Sequence, residues 1–140
     1  MRSLAAAVLV GLACVAPAAA APSLWAKRAN AVCRSWAPRQ KAAFTGLKTP
    51  RTKADAFKYL RVARPLEAGL LADLRAIKVI RPAAAEKALA AAANDVRELD
   101  AAIAAYRASS TKRFSELFTS WANDNRATKA FDAAGAGDCS

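Results

Sequence analysis

Cys33 and Cys139 constrain this chain more than any other feature. Cys33 closes in on the end of Trp25–Trp36, WAKRANAVCRSW, and Cys139 is the penultimate of 140 residues. The third cysteine, Cys14, falls in a segment that reads as a removable leader, which leaves the mature chain an even pair. Outside the cytosol such a pair reads as a disulfide. A bond from the first helix to the last residues closes nearly the whole fold, so any architecture must bring these two positions together. The length suits one domain.

The leader reading rests on Arg2, the apolar run Leu4–Val15, Pro17 and the small-residue stretch AAAAPS. A charged start, a short apolar centre and an Ala-x-Ala site mark a secretory signal peptide. Cleavage is expected after Ala20, giving a leader over 1–20 and one domain over 21–140. Cys14 follows Gly11-Leu12-Ala13, which approaches a lipoprotein signal but lacks its Leu at the third position back. It is therefore a candidate for lipidation rather than an assigned anchor. Beyond residue 22 no stretch is long and apolar enough to span a bilayer. The expected address is exported, secreted or attached to the cell envelope.

Charge is unevenly placed. Eleven basic residues lie between Lys27 and Arg64, against the single acid Asp55. From Pro65 onward, ten basic and ten acidic residues balance. The excess therefore sits on the front of the mature chain. Lys27, Arg28, Arg34, Arg39, Lys41, Lys53, Lys58, Arg61 and Arg64 are the candidate anion-binding face.

Strand signals are nearly absent, and apolar residues recur at three- and four-residue steps. Four helices are predicted. The first runs from about Ser23 to about Leu47, with a stripe of Trp25, Ala29, Val32, Trp36, Ala43 and Leu47. Pro38 within it predicts a kink near Ser35–Ala37 or a break, and the continuing phase favours the kink. The second is capped by Thr49 with Pro50, or by Thr52 with Asp55, and runs to about Val79. Pro65 interrupts it, and Glu67 projects onto its apolar face, read as a boundary residue beside an arginine, with a buried functional acid as the alternative. The third starts at Arg81-Pro82 and carries Leu89, Ala92, Val96, Leu99, Ile103 and Tyr106. The fourth follows Ser109-Ser110-Thr111 and runs to about Ala134. Its stripe of Phe114, Leu117, Phe118 and Trp121 then turns polar at Asn125, Thr128 and Asp132. Gly135 fits a left-handed C-cap. The expected fold is all-α: an up-down-up-down four-helix bundle with Pro-kinked first and second helices, stapled by one disulfide.

Histidine is absent and the only Met is the initiator. Common haem ligands, His-based zinc sites and the usual general base are thereby removed. There is no CxxC and no phosphate-cradling Gly-rich loop. No catalytic residue, metal site or cofactor is assigned, and no enzyme is expected. Asp95, Glu98 and Asp100 read as a solvated face paired with Arg97 and its neighbours. Trp25, Trp36 and Trp121 read as core, with a pocket beside Asn125, Thr128 and Asp132 as the alternative.

ANAVC followed by Arg34, together with the terminal Gly135-x-Gly137-x-Cys139, resembles a group of small exported α-helical proteins of high-GC Gram-positive bacteria. The resemblance implies a helical envelope protein, secreted or lipid-anchored, and carries over no catalytic residue. The leading functional expectation is a non-enzymatic envelope protein whose basic face meets anionic wall polymers or lipid head groups. The alternative is a carrier or sensor of a small apolar ligand in the bundle core. Nucleic acid is the weaker partner, because export removes the usual target.

Overall fold

The computed structural model describes residues 21–140; the leader assigned to 1–20, with Cys14, lies outside the described residues. Among the described residues there are five α-helices and no strand: α1 (Leu24–Phe44), α2 (Lys53–Arg75), α3 (Ala83–Arg107), α4 (Thr111–Asn123) and α5 (Arg126–Ala133). A single 3-10 turn over Gly137–Cys139 ends the chain.

The helix starts follow their local chemistry. Ser23 accepts a hydrogen bond from the Ala26 amide and opens α1. For α2 the cap is Thr52, which closes a reciprocal box with Asp55, satisfying two otherwise orphaned donors at once. Gly46, just after α1, takes a left-handed backbone at φ 85°, which a side chain disfavours. Both prolines lie inside unbroken helices, Pro38 in α1 and Pro65 in α2. The break considered for α1 is therefore not present.

One expectation fails. The fourth helix is not continuous but stops at Asn123 and restarts at Arg126. Asp124 causes the stop. Its backbone is extended at ψ 128°, and its carboxylate accepts the Arg126 amide at 2.8 Å. An Asx side chain that binds its own downstream amide offers the backbone an alternative to the helical ladder.

The apolar interior is two clusters. One gathers Trp25, Ala29, Cys33, Leu71, Leu74, Leu89 and Phe131. The other gathers Leu60, Ala63, Leu99, Ala102 and Phe114, flanked by Phe44, Phe57, Tyr106, Phe118 and Trp121. Alanines line much of α3 on the buried side (Ala85, Ala88, Ala102, Ala105), so its neighbours approach closely. Gly69 serves the same end on α2: a Cβ there would fall 2.5 Å from the Trp36 ring. That ring is fixed by its indole N–H, which donates to Asp73 at 2.8 Å.

Cys33 and Cys139 form a disulfide. The tail reaches α1 by turning back at Gly135, whose φ of 75° is left-handed. Asn30 then holds the turn from both sides. Its amide donates to the Gly135 carbonyl at 3.1 Å, and its carbonyl oxygen accepts from the Asp138 amide at 2.9 Å. Arg34 pairs with Asp138. The bond spans 106 residues of sequence, a loop whose closure stabilises by on the order of 4 kcal/mol in the chain-entropy model. Replacing both cysteines by serine should lower the urea midpoint accordingly. A midpoint equal to that of the oxidised wild type would show that the bond adds nothing to the docked tail.

Candidate functional site: a cleft where the core is divided

The two apolar clusters part at one level of the molecule, and carboxylates occupy that level. On α2, Glu67 lies between Ala63 of one cluster and Leu70–Leu71 of the other. On α3, Asp95 lies between Ala92 and Leu99. Asp124 stands at the α4–α5 corner. A cleft of about 750 Å³ opens here, lined by Phe44, Tyr59, Glu67, Asp95, Phe118, Trp121, Asp124 and Thr128 among others. A smaller cavity of about 160 Å³ lies on the disulfide side, and Glu67 and Asp95 line it as well. These two acids are the partition between the spaces.

The electrostatics follow from that position. Burial raises the Glu67 carboxyl to about 7, with Asp95 adding to the rise and Trp121 opposing it. Burial likewise raises Asp95 to about 6, helped by the neighbouring Asp124 and Glu98. Asp95 Oδ1 is buried without a hydrogen-bond partner among the described residues. Asp124 behaves in the opposite way. The Arg126 guanidinium hydrogen-bonds it and holds its carboxyl below the usual range. Arg126 also reaches Glu98 at 2.9 Å, so this one cation is shared by the α3 and corner carboxylates.

The aromatic wall is angled rather than flat. Phe44 stacks on Tyr59 with centroids 4.6 Å apart. Tyr59 and Trp121 meet at 6.2 Å and 58°, and Phe118 and Trp121 at 6.2 Å and 49°.

Several expectations change here. Glu67 is not beside an arginine, and among the described residues no Lys or Arg forms an ion pair with it. Of the three acids read as a solvated face, only Asp100 fits fully, paired with Arg64 at 2.8 Å on the surface. Trp25 is the one tryptophan fully inside; Trp36 is half-buried against α2, and Trp121 is half-buried in the cleft wall. Of the polar residues of the fourth-helix region, Thr128 lines the cleft, while Asp132 instead accepts from Ser140 in the tail. The run Asn123-Asp124-Asn125 was the signal for the helix stop, since three consecutive Asx residues favour turns.

The basic face is exposed but partly neutralised. Lys27, Arg28, Arg34, Arg39, Lys41, Lys53, Lys58 and Arg61 are exposed and Arg64 is half-buried. Arg34 and Arg64 are paired, Lys58 lies 4.0 Å from Asp55, and Arg39 sits over the Trp36 ring at 5.1 Å. Lys53 donates to Thr111 and lies over Tyr106. Lys27, Arg28, Lys41 and Arg61 have no ion pair among the described residues. No group of acids or cysteines among the described residues is arranged to hold a metal ion. No helix among them is long and apolar enough to cross a membrane.

No protein family, curated protein or solved structure matches the chain.

The half-buried carboxyls fix the sign of the pH dependence. A group raised in the fold favours the folded state when protonated. For Glu67 that stabilisation is complete below its ordinary value of 4.5 and is lost as pH rises through about 7. Asp55 and Asp100, lowered by their partners, run the other way, so the informative quantity is a difference between variant and wild type. Glu67→Gln should match wild type near pH 4 and exceed it at pH 8 by on the order of 2–3 kcal/mol, measured by urea denaturation. A difference that does not change with pH would mean that Glu67 is solvated.

Proposed function

We propose that the chain is an exported, non-enzymatic cell-envelope protein that holds a small ligand in the cleft between α2, α3 and the α4–α5 corner. The supporting observation is the division of the core: side chains that would complete an apolar seam are replaced by carboxylates around an open space of about 750 Å³. Pockets of this size suit drug-sized molecules with an apolar body. Carboxyls raised by partial burial beside an open cleft mark it as a candidate ligand site. Export is supported by the charged, apolar, small-residue start of the sequence and by the Cys33–Cys139 disulfide, a bond that persists in oxidising compartments. The non-enzymatic reading is supported by a sequence without histidine.

The scaffold we propose is the up-down-up-down bundle, with α4 and α5 together as its fourth arm and bends at Pro38 and Pro65. Neighbouring contacts support it. Phe44 meets Tyr59 while the earlier Trp36 meets Asp73. Phe57 meets Tyr106 while the later Arg64 meets Asp100. In each pair, one helix advances as the other recedes.

A second reading has its own support. Lys27, Arg28, Lys41 and Arg61 are among the exposed cations of α1 and α2 without an ion pair among the described residues, suited to anionic wall polymers or lipid head groups. Reversing the four to Glu should abolish co-sedimentation with anionic vesicles at low salt. Negligible binding by the wild type there would leave this face merely solubilising.

The cleft reading is tested through Trp121, in a background where Trp25 and Trp36 are phenylalanine. Aromatic drug-sized molecules should change its emission saturably. Thr128→Phe, at an exposed position on the rim, should narrow the space without adding a fluorophore and weaken the response. The absence of any saturable response up to millimolar ligand would contradict the reading.

A further inference from the structure

The cleft walls have a composition at odds with the rest of the chain. The protein carries 22 Lys and Arg against 11 Asp and Glu. Yet three carboxylates, Glu67, Asp95 and Asp124, line this cleft, and among the described residues not one Lys or Arg does. Cations are excluded from the wall and carboxylates gathered there, in a molecule with twice as many bases as acids.

Facing these acids are four aromatic rings, Phe44, Tyr59, Phe118 and Trp121, set at angles to one another. Ring faces carry negative potential and attract cations, the more so when water is excluded. The apolar and the charged halves of the cleft therefore favour the same kind of guest. A neutral apolar molecule would satisfy the rings and leave the acids uncompensated. An anion would meet three carboxylates. A divalent ion lacks a site, since no acids among the described residues are gathered closely enough to coordinate one.

Resting on the cleft reading above, we propose that the ligand is a monovalent organic cation: a protonated amine on an apolar, aromatic-sized body. The ammonium enters beside Glu67 and Asp95 and the body lies against Tyr59, Phe118 and Trp121. Asp95 Oδ1 narrows the class further. It has no donor among the described residues and is itself shielded from solvent, so the carboxylate is approached through its cleft side, which a slim N–H group reaches more closely than a bulkier quaternary ammonium. The charged groups around that position are Glu67 from α2, Asp95 and Glu98 from α3, and Asp124 with Arg126 from the corner. Arg126 is engaged by Asp124 and Glu98; α1 brings Phe44, and the loop after it Leu47, Thr49 and Pro50, to the cleft and no charge.

Matched probes test the class on the oxidised chain over 21–140: 4-phenylbutylamine, 4-phenylbutanol and 4-phenylbutyrate, followed by calorimetry. The amine should bind roughly tenfold or more tighter than the alcohol, and the carboxylate should not bind. An alkylamine, like lysine, keeps its proton below about pH 10, so any loss of binding between pH 8 and pH 5 reports the protein's carboxyls. Such a loss is expected, together with proton release on binding at pH 7. Glu67→Gln and Asp95→Asn should each weaken the amine while leaving the alcohol unchanged, which also shows that the variants are folded. N-methylation of the amine to the quaternary salt should weaken binding. If the alcohol binds as well as the amine, the cleft stands and the cationic class is wrong. If none of the three binds at millimolar concentration, both readings fall.

Discussion

The partial burial of Glu67 and Asp95 between the two halves of the core is the constraint around which the rest of this protein is arranged. Charged carboxylates are costly to bury without a partner, and here the first answer is a shift toward the neutral form, Glu67 to about 7 and Asp95 to about 6. The second is spatial. The apolar interior is split into two clusters, α4 ends at Asp124, and the chain turns a corner there rather than carrying an apolar stripe through. The cleft is what this leaves between the clusters.

A small helical domain with a divided core needs support at its two ends, and it has a different kind at each. At one end the Phe57–Tyr106 stack at 3.9 Å, with Phe114 edge-on to Tyr106 at 5.3 Å, supplies aromatic area around Leu60 and Leu99. At the other end alanines and Trp25 pack closely, and the Cys33–Cys139 bond with the Asn30 clamp ties the tail to α1. Trp25 is wholly buried with its indole N–H unpartnered among the described residues, a cost of about 1–3 kcal/mol that this covalently closed end tolerates. The exposed ion pairs, such as Arg64–Asp100, each contribute little in water. Core area and the covalent staple carry the fold.

Much of this was legible in the sequence because it is local. Helix starts at Ser23 and Thr52 follow from side chains that cap their own amides, and the left-handed turn at Gly135 follows from a missing Cβ. The disulfide follows from the even pair of cysteines left once residues 1–20 are read as a leader. What was not legible depends on partners from elsewhere. A helical wheel puts Glu67 on an apolar face but is silent on what faces it; the structure sets it against Asp95 and Trp121, with no arginine. The same wheel treats Asp95, Glu98 and Asp100 alike, although only Asp100 meets Arg64 in solvent. Trp121 continues the Phe114 stripe in sequence yet forms a wall, because the corner at Asp124 removes the neighbours that would have covered it.

A carboxyl-detected ¹³C titration of the folded, oxidised chain tests the account at its centre, since it observes each acid by name. The account predicts Glu67 titrating near 7 and Asp95 near 6, with Asp100 and Asp124 below the ordinary carboxylate range. Midpoints near 4 for both Glu67 and Asp95 would mean that water reaches them freely, and the divided core, the cleft and its ligand would lose their basis together.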